Sequence, residues 1–387
     1  VFEDNQTVVD NPVQPKIVEE DIFKFVINDL TAASELLPEK PSEPGRATSY
    51  SAKGMLAKVY LARSSWFTPG ERNAEDLAKC KELCLDVINN GPYSLLPDYE
   101  NLFKYRYNNN QECMLAMQWY KSATMTWYAG NTNLSDLAFS SDVIGGAAAW
   151  ANGRMTMEMA GQYKYLDDKG QEHWEGKRMW TTWFVPGHHY DYINIADGGY
   201  TYAADNTSMP PKKGVPGGPD DDNDGFVSMM NSPLNTYIQR LADVYLMYAE
   251  ACLGDSPVLT GEGLQYFNAV RSRVEEATVS SITFEDIMRE RRVEFGMEYS
   301  TWYDFMSWYH WKPEFMLNFL NNQMRTYGFE LSMGPNGEII IDPESIEEPS
   351  DVVSVVTHDN IHLPFPEADV IQNPLLKQDP VRYNFSE

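Results

Sequence analysis

Two carboxylates flanking a glycosidic bond are enough to hydrolyse it, and this chain carries 57 Asp and Glu. Nothing in their spacing singles out such a pair, so hydrolysis ranks behind binding among the readings of the sequence. The nucleophile elbow GxSxG, the zinc motif HExxH, the P-loop and GxGxxG are all absent. His188 and His189 are adjacent while His173, His310, His358 and His362 are scattered, which is not the spacing of a metal site. Asp220, Asp222 and Asp224 alternate ahead of Gly225 like the first half of a calcium loop. The twelfth position holds Asn231 instead of the bidentate Glu, so a solvated acidic loop is expected, with calcium as the alternative and no other cofactor. Cys80 and Cys84 lie four apart on one helical face without a CxxC or a His pair; with Cys113 and Cys252 they read as buried, inert thiols.

Charge and composition narrow the ligand. Thirty Lys and Arg against those 57 acids give a formal net charge of −27. Such a field repels phosphate backbones and anionic headgroups, so no nucleic-acid partner is expected and a neutral ligand fits best. Aromatic residues make up 13% of the chain, and amphipathic rings left at a surface are a common basis of recognition. No apolar run is long enough to span a bilayer. The chain starts at Val without a basic-then-apolar leader, which leaves open a cytosolic protein or one whose targeting segment has been removed.

The elements that must position any site are helical. Ile22, Phe25, Val26, Leu30, Ala33 and Leu37 form one stripe, predicting a helix over 21–37 that ends at the prolines of 38–44. A second helix is predicted from Ser49–Ser51 through Trp66. A third runs over 74–90 and stops at Gly91, where a left-handed cap is expected. LAKVYL at 56–61 returns as LADVYL at 241–246, and each is followed by another amphipathic segment, 74–90 and 262–275. A further helix is predicted over 284–299, opened by a capping box between Thr283 and Asp286 and carrying Glu290, Arg291, Arg292, Glu294 and Glu298 as ion pairs at helical spacing. Small and large residues alternating on paired helices predict a mainly α fold with a tetratricopeptide-like scaffold.

Between the halves lies a long insertion, about 100–235, with six of the ten tryptophans, many Gly, Asn, Thr and Ser, and little helical periodicity. Loops held by a rigid scaffold are where binding residues concentrate. The predicted organisation is therefore one domain over 1–387. It has a scaffold at 20–100 and 236–310, an irregular, aromatic-rich ligand-binding insertion at 101–235, and a C-terminal segment at 311–387 packing on the scaffold.

Several segments resemble one family. ERRVEFGMEYSTWYDFMSW, RLADVYLMYAEACL, FNAVRSRV and LPFPEADVIQNPLLKQDP are similar, in order, to signature segments of the SusD/RagB proteins. VINNGPYSLLPDYENLF and NNQECMLAMQW fit the middle of that pattern, and MTMEMAGQYKYLDDKG fits it with Met155 in place of the usual Pro. The resemblance covers nearly all of 20–380 but not the family's N-terminal part, where a signal peptide and a lipidated Cys would sit.

The resemblance implies a non-catalytic protein that captures a glycan at the bacterial outer-membrane surface as a lipoprotein and delivers it to a SusC-like TonB-dependent transporter. A helical-repeat adaptor that binds protein and no sugar is the alternative. Sugars are recognised by rings that stack on the C–H face of a pyranose and by amides or charged groups that satisfy its hydroxyls. Trp127, Tyr128 and Trp150 are the candidate platforms, and Asn131, Asn133, Asn152 and Arg154 the candidate hydrogen-bonding partners; Trp180 and Trp183 read as structural.

Overall fold

The computed structural model describes residues 5–119, 131, 133–166, 172–227, 230–298, 300–326, 328–334, 339–347 and 355–385. Its scaffold is built from α1 (Glu19–Leu36), α2 (Ser49–Trp66), α3 (Ala74–Asn90), α4 (Leu241–Leu253), α5 (Leu264–Arg273), α6 (Phe284–Glu294), α7 (Thr301–Trp311) and α8 (Pro313–Asn321). Capping fixes where these helices begin. Thr48 and Ser51 form a capping box at the start of α2, Asn73 accepts from Glu75 and Asp76 at the start of α3, and Thr283 with Asp286 forms the predicted box before α6.

Packing follows the repeated sequence. The hairpins α2–α3 and α4–α5 stand side by side, with α3 against α4, while α1 and α7 cover α2. Tyr50, Ala57, Leu61, Cys80, Cys84, Val87, Val244 and Met247 close one core between α2, α3 and α4. Leu246, Phe267, Ile287 and Trp308 belong to a second, between α4, α5, α6 and α7. The cysteines are unpaired, Cys80 and Cys84 are fully buried with sulfurs 4.0 Å apart, and burial pushes the Cys84 thiol well up. Cys80 and Cys84 are packing groups, as predicted, whereas Cys113 and Cys252 are only half-buried.

Two predicted helix ends differ. Gly91 is extended, with φ −69° and ψ 155°, not left-handed. Its need for glycine lies elsewhere, because a Cβ there would collide with the Val87 carbonyl. The helix predicted over 284–299 stops at Glu294. Phe295 leaves helical geometry and Met297 takes φ 64°, so the chain turns at Gly296 before α7 begins. The periodicity had run on because Glu298 continues the charge spacing across that turn.

The insertion hangs from a neck. Strands β1 (Cys113–Met117) and β2 (Thr236–Arg240) pair antiparallel, Cys113 opposite Arg240 and Met117 opposite Thr236. Everything from 118 to 235 leaves and returns through this ribbon. Beyond it, the short ribbon 189–190 with 200–201 adjoins a core that includes Val143, Ile144, Phe184, Tyr190, Ile193 and Val215. Trp174 of the ribbon 164–166 with 172–174 packs on a second core that includes Met155, Tyr163 and Trp183. Trp183 is buried and its Nε1 donates to the Tyr163 hydroxyl at 3.1 Å; Trp180 stacks on His188.

At the scaffold end of the neck the charges predicted as ion pairs along one helix instead join separate elements in the interior. Arg240 donates to Glu112 at 2.8 Å, Glu294 at 2.5 Å and Glu298 at 2.9 Å. Arg273 pairs with Glu112 and Glu294; Arg178, in the insertion, pairs with Glu175, Glu290 and Glu294. Lys213 reaches Glu298 at 2.9 Å. Burial alone would push the Glu294 carboxyl up, but Arg273, Arg240 and Arg178 more than reverse it and hold it well below the usual carboxylate range. Removing one member would strand buried charge, so the network ties insertion and scaffold in one geometry.

Candidate functional site

The far end of the same ribbon carries a candidate site. Where β1 ends, Trp119 donates from Nε1 to the Thr236 hydroxyl at 2.9 Å, and the Asn131 amide donates to that hydroxyl at 3.2 Å. Asn131 also exchanges backbone hydrogen bonds with Ser232 at 2.9 and 3.1 Å. The chain leaving at Trp119 and the chain returning at Asn131 are therefore fastened to one residue of β2. Asn131 itself is buried: its amide donates to the Leu234 carbonyl and its Oδ1 receives the Asn133 N–H, so it braces the mouth of the insertion from inside.

Beside Trp119 lies an open depression of about 430 Å³, lined by Tyr105, Trp119, Asn108, Asn109, Gln118 and Asn235 with Arg106 and Asp224 at its edge. Its amides hold one another. Asn109 and Gln118 exchange two hydrogen bonds of 2.9 Å, and Asn235 donates to Gln118 at 3.1 Å. Asn108 accepts from the Asn235 backbone N–H at 3.0 Å and donates to the Pro233 carbonyl at 2.8 Å. Asn109 is held at φ 56°, a left-handed setting that Asn adopts more readily than most residues.

A second exposed feature is the segment 150–154. Ala151 and Asn152 donate their backbone N–H groups to the carbonyls of Ala138 and Asp136 at 3.0 and 2.8 Å, and the Asn152 amide reaches the Asp136 carboxylate at 3.2 Å. With Ala151 at φ 54° and Gly153 at φ 131°, the backbone forms a shelf from which Trp150, Asn152 and Arg154 face solvent; Trp150 is 45% exposed. An indole left this open beside a hydrogen-bonded backbone is a ready stacking surface. Trp127 and Tyr128 lie outside the described residues.

The acidic loop is spent on an arginine. Asp222 and Asp224 approach Arg106 at 2.5 and 2.9 Å, while Asp220 is exposed. Asp221, buried between them, accepts from the backbone N–H groups of Ile195 and Gly218 at 2.8 and 2.7 Å and so sets the loop's shape. Among the described residues no three His, Cys, Asp or Glu side chains converge where they could hold a metal ion. His189 pairs with the Thr201 hydroxyl, and burial lowers the His188 imidazole.

A larger cavity, about 630 Å³, opens on the scaffold between α1, α2, β2 and α7 and is lined by groups such as Met55, Trp66, Met117, Ile238, Tyr303 and Met306. It lacks the convergent amides that a polyhydroxylated ligand needs. The Trp119 depression was not visible in the sequence because its walls come from 105–119 and from 233–235. The one available signal was the amide-rich run NNNQ at 108–111 just ahead of Gln118-Trp119.

Comparison with known proteins places this geometry in a family. A family model described as SusD family matches residues 111–381. A SusD-like protein of Bacteroides ovatus is 51% identical over all of this chain and 71% of its own length. SusD-like protein P2 of Formosa agariphila is 26% identical over 75% of this chain and 56% of its own length. A solved structure containing a xylogluco-oligosaccharide is 50% identical, covers all of this chain and 78% of that one, and superposes with a TM-score of 0.89. Surface glycan-binding protein A from Bacteroides uniformis shares the fold at 18% identity and a TM-score of 0.62 over 94% of this chain and 69% of that one. The chain belongs to the SusD family, whose members are non-catalytic carbohydrate-binding proteins.

Proposed function

We propose that this protein captures a neutral glycan of the xylogluco-oligosaccharide class on the shelf at 150–154. It acts at the outer-membrane surface as a lipid-anchored partner of a SusC-like TonB-dependent transporter. The observation that carries the ligand class is the oligosaccharide in a structure 50% identical over the whole of this chain. The physical support is Trp150, an open indole with a hydrogen-bonding amide and a guanidinium within four residues of it. The net charge of −27 agrees with an uncharged ligand. Trp127 and Tyr128 join the reading as sequence-based candidates.

Affinity electrophoresis in xyloglucan gels, with calorimetry on xylogluco-oligosaccharides, tests it. The parent protein is retarded, and Trp150→Ala weakens binding at least about tenfold. Unretarded migration of the parent in every neutral glycan tried would sink the proposal. Recovery of the transporter by the same protein in pull-downs, with no sugar bound, would favour the adaptor reading instead.

A further inference from the structure

The geometry points to a second sugar subsite in the Trp119 depression, built for one neutral pyranose unit of a longer glycan. The inference rests on the glycan-capture reading and extends it to residues that the shelf does not include.

Its chemistry follows from counting what the amides have left. An amide oxygen accepts two hydrogen bonds and an amide nitrogen donates two. Gln118 is consumed: its Nε2 donates to Asn109 and to the Ala116 carbonyl, and its Oε1 accepts from Asn109 and Asn235. The Asn109 oxygen is likewise filled, by Gln118 and Asn235. Among the described residues, that leaves one N–H on Asn109, one N–H and one lone pair on Asn108, and one lone pair on Asn235, whose oxygen takes the Trp119 backbone N–H. The wall thus offers two donors and two acceptors, at positions fixed by the other amides.

A carboxylate or phosphate only accepts, and would leave the spare lone pairs of Asn108 and Asn235 facing like polarity. An ammonium only donates, and would leave the spare N–H groups of Asn108 and Asn109 facing like polarity. Arg106 brings no free charge to attract an anion, since Asp222 and Asp224 already neutralise it. A vicinal diol, each hydroxyl both donor and acceptor, matches the wall. The rings of Tyr105 and Trp119 supply the apolar surface that the C–H face of a pyranose requires. The volume of about 430 Å³ is that of a small-ligand site. Trp119 and the shelf are joined in relay: Trp119 and Asn131 both donate to Thr236, Asn133 donates to Asn131, and Asn152 donates to Asp136, which shares the short helix Asn133–Leu137 with Asn133. One glycan chain spanning shelf and depression would gain affinity from both.

The test is calorimetry with a graded series of xylogluco-oligosaccharides on the parent, Tyr105→Ala, Trp119→Phe, Tyr105→Phe and Trp150→Ala, with thermal melts confirming that each variant is folded. Tyr105→Ala should weaken the longest oligosaccharide roughly tenfold and leave the shortest one that binds unchanged, so the gain with length disappears. Trp119→Phe gives a smaller loss of the same pattern, Tyr105→Phe keeps parent affinity, and Trp150→Ala weakens every length. Parent affinity at all lengths in both Tyr105→Ala and Trp119→Phe, with Trp150→Ala still impaired, overturns the subsite and leaves the capture reading standing. An equal loss at all lengths in Tyr105→Ala overturns it too. If no length binds the parent, the capture reading fails and the subsite with it.

Discussion

Replacing Arg240 with Met removes the cation at the scaffold end of the neck while keeping a long, flexible side chain. Arg240 is 1% exposed and hydrogen-bonds Glu112, Glu294 and Glu298 as well as the Glu294 carbonyl. Breaking a buried ion pair by deleting one partner costs about 3–5 kcal/mol. The low end applies, because each carboxylate keeps another cation: Arg273 for Glu112, Arg273 and Arg178 for Glu294, and Lys213 for Glu298. An unfolding entropy of about 2.1 cal/mol/K per residue over 387 residues is roughly 0.8 kcal/mol/K. The melting temperature should therefore fall by about 4 °C. Circular dichroism melts on Arg240→Met, Glu294→Gln and the double variant provide the measurement. The double variant should lose about 1–3 kcal/mol less than the sum of the singles, since it removes both halves of one pair. A shift smaller than about 1 °C, or strict additivity, would refute the claim that this network fastens the insertion to the scaffold.

Other consequences follow from single features. Glu294 and Asp243 titrate below the ordinary carboxylate range when folded, Asp243 because Lys58 and Arg291 outweigh its burial. Their stabilisation is present above about pH 4.5 and is lost as the pH falls below it, so melting temperatures flat from pH 6 to pH 3 would contradict it. Thr283→Ala removes the α6 capping box and should cost about 0.5–2 kcal/mol in denaturant titration, with Thr283→Ser recovering most of it. Gly45→Ala meets both a positive φ of 85° and the Gln118 side chain, so it should weaken long oligosaccharides without altering any residue that touches sugar. EDTA should change neither the melting temperature nor glycan affinity, because Arg106 already occupies Asp222 and Asp224. A rise of several degrees on adding calcium to EDTA-treated protein would show that the ion displaces that arginine.

Periodic, local features were legible in the sequence. The apolar stripes, the Thr283–Asp286 box and the recurrence of LA-VYL located α1 to α6, because each depends on residues three or four apart, whereas α7 and α8 were not predicted. The buried charges were misplaced for the complementary reason. Glu290 and Glu294 have helical spacing, and nothing local reveals that their partners are Arg178, 112 and 116 positions earlier. The site divides in the same way. Trp150, Asn152 and Arg154 are neighbours in sequence and share a shelf, whereas the Trp119 depression exists only once β1 pairs with β2. Asn131 shows the limit of composition: an amide in an aromatic-rich insertion is as useful for holding a loop stem as for holding a hydroxyl.

The contact of α3 with α4 also has a cost in time. Asn90 and Leu241, the facing ends of these helices in sequence, are separated by the whole insertion, roughly 150 residues of chain whose closure entropy must be met before the contact forms. Until then the α3 face bearing Cys80, Cys84 and Val87 has no cover from α4. The first hairpin is thus expected to complete its packing late, after the insertion has folded. Pulsed thiol alkylation during refolding should find Cys80 and Cys84 among the last groups protected. Their protection before the insertion acquires structure would reverse that order.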